Sequence, residues 1–392
     1  MFIASHSKSP LFVGSLDAEK CFDRIWHSAL FLKLWGHLDK IHWRFMFTCY
    51  SNLQAMVRWN GQYSASFQIT RGTRQGSLLS PMFFNIFIDD LLKELKKINA
   101  GFKIGNFHVN SFAYADDLTL ISSTTSGLQC LIDTCQAYAT KWRFSFGIKK
   151  SVCMTMNSST LQEEPKWYLG DQLLTVKQSV NILGVSFDAK NNPTEHINER
   201  ISRCRRAFYG LVKSGITHTL LDARTKMYMW QTMCVPSLTY GCESLHLRQS
   251  DIHKLESLQG CMLKQCVHLP KRNHHTPLVQ ALSIPTIKDR IQSRVCGLLH
   301  GIYSVPSPAR DLCVELMAQY VATGFYIPGT LVGRVVDMGI SPARAAFNQT
   351  KWKVTNNEDG LIDSLRSLLF HDNYMKPWSD ERMIVSLLTK SF

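Results

Sequence analysis

Phe112-Ala113-Tyr114-Ala115-Asp116-Asp117-Leu118-Thr119-Leu120 sets two adjacent acids between apolar runs of β-forming residues. Residues 107–122 therefore predict a hairpin with Tyr114 to Asp117 at its tip. Upstream, the apolar run Phe12 to Leu16 predicts a buried strand. Phe22, Ile25, Trp26, Ala29, Leu30 and Leu34 then recur at helical spacing, with Gly36 as a stop. Met56 to Ile69 reads as a hairpin turning at Asn60-Gly61. Ser80-Pro81 opens a helix, Ser as N-cap and Pro at its first position, with Phe84, Phe87, Ile88, Leu91, Leu92 and Leu95 as the apolar stripe. Downstream, Leu128, Leu131, Ile132, Cys135, Tyr138, Ala139 and Trp142 mark a third helix, and strands are expected at Val152–Met156 and Ile182–Phe187. This strand-helix-strand-strand-helix-strand order is that of an α+β fold, an antiparallel sheet with helices on one face.

A third acid ends the first strand, in Ser15-Leu16-Asp17-Ala18-Glu19. Aspartate is disfavoured in strands, and burying its charge is costly unless something pairs with it. Three such groups together repel one another and have their pKa values raised. A divalent cation removes the conflict, and Mg²⁺ prefers oxygen ligands of this kind. Two ions about 3.5–4 Å apart suit an in-line phosphoryl transfer. Taken singly, Asp116-Asp117 reads as a solvated hairpin tip and Asp17 as a helix cap; placed in apolar strands of one α+β unit, they read better as a site. Neighbouring strand residues point to opposite faces. Asp116 is accordingly expected to face Asp17, with Asp117 as the helper.

Asp17 with Phe22-Asp23, then Arg74-Gln75-Gly76-Ser77-Leu78-Leu79-Ser80-Pro81, then Tyr114-Ala115-Asp116-Asp117 resemble, in order and spacing, the palm motifs of reverse transcriptases. The wording around Gly76 is most similar to non-LTR (LINE-type) retrotransposons. The resemblance implies an RNA-directed DNA polymerase that adds dNTPs to a DNA 3′ end on an RNA template. It implies Asp17, Asp116 and Asp117 as catalytic residues and ligands of two Mg²⁺ ions, with Mn²⁺ as a substitute. It makes Phe22 the ring packed against the sugar, leaving no room for a 2′-hydroxyl. Arg74, Gln75 and Gly76 would lie beside nucleotide or template, and Lys150, in Gly147-Ile148-Lys149-Lys150-Ser151, near the triphosphate. The family usually has Asn where Gly147 stands. Leu183-Gly184-Val185 resembles the hairpin that grips the primer, His196-Ile197 the opening of the thumb, and Lys271 to Leu278 the family's C-terminal region. The resemblance covers residues 12–300, closely in the palm and loosely in the thumb. Only sixteen residues precede Asp17, with His6 and Lys8 as their basic groups. The fingers subdomain is therefore expected to be largely missing and nucleotide binding to be poor, because positioning and charge neutralisation dominate phosphoryl transfer.

Three regions are expected: a palm over 1–190, a helical basic thumb-like domain over 191–303, and a C-terminal region over 304–392 with no readable role, joined through Ser304-Val305-Pro306-Ser307-Pro308. Lys and Arg number 44 against 30 Asp and Glu, a formal charge of +14, which favours a polyanionic partner. Residues 201–300 hold 14 Lys/Arg and 5 Asp/Glu. Arg200, Arg203, Arg205 and Arg206 would give the first thumb helix a basic face for phosphate. The expected partners are RNA template, DNA primer and dNTPs; no membrane and no protein partner is indicated. The apolar stretch Leu316 to Gly333 is interrupted by Gln319, Gly324, Pro328 and Gly329. The 12 cysteines, with no signal-peptide layout, read as reduced thiols of an intracellular, nuclear or cytoplasmic, protein. Cys261, Cys266, His268, His274 and His275 match no common zinc spacing. Two alternatives stay open. One is a catalytically impaired remnant that binds RNA or DNA through the basic thumb. The other is a relative of group II intron maturases, which share the acidic hairpin.

Overall fold

A computed structural model describes residues 1–74, 76–104, 107–157, 163–218, 220–270, 278–279, 282 and 284–347. Gln75, residues 271–277 of the motif from Lys271 to Leu278, and the region after residue 347 lie outside the described residues. The chain divides into two units, one over residues 3–183 and one beginning at Gly184.

In the first unit, α1 (Phe2–His6) leads into β1 (Leu11–Asp17), the short α2 (Cys21–Arg24), α3 (His27–Leu34) and α4 (Lys40–Ser51). β2 (Gln54–Ala55), β3 (Arg58–Trp59), β4 (Gln62–Tyr63) and β5 (Phe67–Gln68) form nested antiparallel pairs, β3–β4 inside β2–β5. The turn between β3 and β4 is Asn60-Gly61, both at positive φ, as a two-residue hairpin demands. Then come α5 (Ser80–Lys97), β6 (Phe102–Ile104), β7 (Phe107–Val109), β8 (Ser111–Tyr114), β9 (Asp117–Ser122), α6 (Thr125–Lys141) and β10 (Val152–Met156). β11 (Tyr168–Leu169), β12 (Gln172–Leu173), β13 (Thr175–Val176) and β14 (Ser179–Ile182) close the unit. The principal sheet has the order β13-β10-β1-β9-β8. It is antiparallel apart from the β10–β13 pair.

The expected α+β architecture is present, and β1 shows why. Phe12 and Leu16 belong to the core with Leu128 and Leu131 of α6 and Phe84 and Phe87 of α5. A Cβ on Gly14 would meet Leu128 at 3.4 Å. Residues 12, 14 and 16 thus face the helices, and by the strand's two-residue period Ser15 and Asp17 face away. Three local expectations change. The run Ile182–Phe187 is not one strand, because the chain turns at Leu183 and Gly184, both at positive φ. The pattern from Phe22 to Leu34 is not one helix, because the backbone extends at Ile25 (φ −55, ψ 119). There Ile25 O accepts from Gly72 N at 2.8 Å and Trp26 pairs with Arg71. Ser80 is not the N-cap of α5 either: it is the first helical residue, and its Oγ donates to Arg74 O at 2.7 Å.

In the second unit, β15 (Val185–Asp188) precedes α7 (Thr194–Lys213) and α8 (Ala223–Met229). A π-helical turn (Trp230–Cys234) runs into α9 (Val235–Thr239), followed by α10 (Gln249–Cys266), α11 (Ile287–Ser304), α12 (Pro308–Thr323), α13 (Leu331–Asp337) and α14 (Pro342–Phe347). Phe208, Trp230, Leu263 and Tyr303 share one core with Val314, Val335 and Ala346. The described part of 304–347 is therefore packed with 191–303 and not set off from it. Ser304 to Pro308 is a tight helix connection, with Ser307 Oγ capping Arg310 N at 3.2 Å and Pro308 in the first turn. All 12 cysteines are free thiols. Among the described residues, no helix is long and apolar enough to cross a membrane.

Lys33 ties three helices of the first unit together. Its buried ammonium donates to Phe87 O (2.8 Å) and Asp90 Oδ2 (2.9 Å) of α5, and lies 4.1 Å from the centroid of Trp142, just past α6. Burial pulls its pKa down, and the Lys33 bond holds Asp90 below the ordinary carboxylate range. Tyr138 also donates to Phe87 O, so that carbonyl stays satisfied without the lysine. Urea unfolding is expected to show Lys33→Ala, which leaves a void, destabilised by about 2–3 kcal/mol. Lys33→Met, which fills it, should stay within about 1 kcal/mol of the parent.

Candidate active site

β1 and β9 pair so that Asp17 lies directly opposite Asp117. Cross-strand partners share a face, here the one turned away from α5 and α6. Tyr114 pairs with Asp117, which leaves Ala115 and Asp116 as the two-residue turn. Asp117, not Asp116, is thus the residue facing Asp17. Asp116 stays close through its backbone, its carbonyl accepting from Ala18 N at 3.2 Å. The turn is tight enough to hold Ala115 at φ 49, a conformation that side chains rarely adopt and that costs of order 1–3 kcal/mol.

The loop after α6 backs this hairpin. Gly147 N donates to Asp17 O at 2.8 Å, and Asp17 N donates to Ser151 Oγ at 3.3 Å. A Cβ on Gly147 would lie 3.5 Å from Asp17 Oδ2, so whatever stands at 147 borders the carboxylate. Lys150 Nζ sits 3.3 Å from Asp17 Oδ2 and 3.4 Å from Oδ1. Oδ2 is itself buried and has no hydrogen bond. Burial first, and then the charges of Asp116 and Asp17, push the Asp117 carboxyl above its ordinary range, with Lys150 opposing. The same acids add to the burial that lifts the neighbouring Cys21 thiol to about 12.

Among the described residues, no three Asp, Glu, His or Cys side chains are already gathered to hold a metal ion. The chemistry of the donors nevertheless fits a hard divalent cation. They are all carboxylates, one has a buried oxygen lacking a hydrogen bond, and another is reluctant to ionise.

The other residues expected on the nucleotide side lie in α2 and in the loop before α5. Phe22, in α2, is half-buried, with its ring 5.4 Å from that of Phe84. Arg74 turns towards α4, its Nη2 donating to Cys49 O at 3.4 Å and its guanidinium 6.0 Å from the Tyr50 ring. Gly76 has φ 82 with open space where a Cβ would be. The motif reading passes over Gly72, Thr73 and His27, which lock this loop to α2; their partners lie some 45–50 residues away, and no periodicity marks them.

The reverse transcriptase (RNA-dependent DNA polymerase) family model matches residues 2–187. That stretch belongs to the reverse transcriptase family. The chain is similar to the Pol polyprotein of the type-2 retrotransposable element R2DM of Drosophila melanogaster, 25% identical over 298 residues, which are 71% of this chain and 27% of that protein. It is also similar to the RNA-directed DNA polymerase of the mobile element jockey of Drosophila funebris, 25% identical over 286 residues, 71% of this chain and 30% of that protein. The chain thus spans about a third or less of these relatives. A solved telomerase of Candida tropicalis overlaps 79% of this chain and 48% of its own, at 13% identity and a TM-score of 0.41.

In the second unit, the chain departs from the expected basic helix face at one position. Arg200 is buried, 2% exposed, with its guanidinium 5.4 Å from the Tyr240 ring. Arg203 is exposed but ion-paired with Glu199, while Arg205 and Arg206 are exposed. A helix buries one stripe, and position 200 falls on the stripe of Ile197, Cys204 and Phe208. His196, at the expected opening of the thumb, is buried too. Its Nδ1 accepts from Ser186 N (3.3 Å) and its Nε2 donates to Tyr240 O (2.9 Å).

A carboxyl whose pKa folding raises costs stability above that raised value, and the cost disappears as the pH falls towards the ordinary range near 4. In metal-free buffer at pH 7, Asp117→Asn is therefore expected to raise the melting temperature by about 1–3 °C. The gain should shrink towards pH 4. A melting temperature unchanged or lowered at pH 7 would show that the three acids do not strain one another.

Proposed function

We propose that the chain acts as the palm and thumb of an RNA-directed DNA polymerase of a non-LTR retrotransposon, transferring dNTPs to a DNA 3′ end. The observation that carries this reading is the direct pairing of Asp17 with Asp117 at the tip of a hairpin whose turn holds Asp116. Asp17, Asp116 and Asp117 would hold Mg²⁺, which when bound would favour ionisation of the 3′-hydroxyl and steady the charge leaving with pyrophosphate. The residues of the chain do the positioning. Gly147 and Ser151 fix the backbone of Asp17 by two hydrogen bonds. The Phe22 ring, leaning on Phe84, excludes a 2′-hydroxyl. Lys150, already at Asp17 and 74% exposed along its side chain, would reach the triphosphate. In the second unit, Arg205 and Arg206 face solvent and meet phosphates of the template–primer.

The contact of Lys150 with Asp17 also favours a second reading, a nucleic-acid-binding chain in which an ammonium replaces the cation for good. Primer extension by the full chain separates the two. On a primed RNA template, dNTP incorporation should depend on Mg²⁺ or Mn²⁺ and vanish with chelator, and Asp17→Asn or Asp117→Asn should lower it by at least about 100-fold. RNA binding without any incorporation would support the second reading instead. For the second unit, Arg205→Gln and Arg206→Gln should each reduce the salt slope of RNA binding by about 1. Arg200→Gln should leave that slope unchanged and lower the melting temperature.

A further inference from the structure

Thr73 lies in a loop without regular structure, yet it is only 6% exposed. Residues 71–73 run beside residues 22–27 in an irregular ladder. Trp26 pairs with Arg71, Gly72 N donates to Ile25 O at 2.8 Å, and His27 Nε2 donates to Gly72 O at 2.6 Å. At the end of this ladder, Thr73 donates twice to one acceptor, Phe22 O, from its backbone N at 2.7 Å and from its Oγ1 at 3.3 Å. The approach is as close as backbones allow. Gly72 has φ 86, and a Cβ there would lie 2.9 Å from Asp23 O.

The helix that carries Phe22 has four residues, far too few to hold itself together. The carbonyl of Phe22 is one of the acceptors that a helix end leaves without a partner, and Thr73 supplies both of its bonds. The position of the Phe22 ring is thus set from two sides, by Phe84 behind it and by Thr73 at its backbone. A ring that rejects one oxygen atom works only if it cannot shift by a fraction of an ångström.

We propose that Thr73 is a positioning residue for Phe22, and that its hydroxyl sharpens the choice of deoxyribonucleotide over ribonucleotide. This rests on the polymerase reading and on Phe22 as the ring beside the sugar.

The test uses the full chain on a primed RNA template with Mg²⁺, comparing dGTP with GTP. Phe22→Ala should lose most discrimination. Thr73→Val, which keeps the shape and the backbone bond but loses the hydroxyl, should lose about two- to tenfold, the worth of one hydrogen bond. Thr73→Ser should restore it. Amide hydrogen exchange over residues 18–27 provides a second measurement, expected to quicken in Thr73→Val and not in Thr73→Ser. Parental discrimination in Thr73→Val, or unchanged exchange over that segment, would overturn the proposal. A parent chain that incorporates neither nucleotide counts against the polymerase reading instead, and the exchange comparison then decides by itself whether Thr73 restrains Phe22.

Discussion

Two like charges stand directly opposite each other across β1 and β9, and the rest of the first unit is arranged around that conflict. Opposed like charges destabilise a strand pair, and here a third carboxylate sits on the adjoining turn. The cost is visible in the raised pKa of Asp117 and in a buried oxygen of Asp17 left without a hydrogen bond. A sheet tolerates such an arrangement only when the other face is strongly held. The residues of β1 and β9 that point the other way, Phe12, Leu16, Leu118 and Leu120, are all in the core with α5 and α6. Burial on one face offsets repulsion on the other.

The surroundings of the acids are built from backbone contacts more than from side chains. Gly147 and Ser151 hold Asp17, Ala18 holds Asp116, and the loop at 71–73 holds Phe22. Backbone bonds place groups precisely without adding charge to a site already overloaded with it. Among the described residues, the cation brought close is Lys150, on a long and exposed side chain. Lys33, by contrast, is sunk among helices and pinned by Phe87 and Asp90. The same residue type therefore serves in one place as an exposed charge and in the other as a fixed tie.

The second unit follows a different logic. Its basic helix, α7, divides its arginines between interior and surface. Arg200 lies inside, its guanidinium by Tyr240, Arg203 is paired with Glu199, and Arg205 and Arg206 are left to solvent. A surplus of positive charge in the sequence thus overstates what faces a polyanion, because part of it is used in packing. Helices as late as Pro342–Phe347 join the same core, so the Pro-rich stretch at 304–308 marks a turn between packed helices.

By itself, the sequence determined the order of strands and helices, the acidic tip at Asp116-Asp117, the apolar stripes of α5 and α6, and the Asn60-Gly61 turn. All of these are local: periodicity and turn chemistry act over a few residues, and the motif wording at residues 17, 74–81 and 114–117 carried the family. Only the tertiary structure decided that Asp117 faces Asp17, because register depends on hydrogen bonds between strands a hundred residues apart. It likewise decided that the helix from Phe22 breaks at Ile25, that Ser80 Oγ turns back to Arg74 O, and that Arg200 goes inside. In each case a local preference meets a distant partner, and burial or pairing with that partner outweighs the few tenths of a kcal/mol that local propensity supplies.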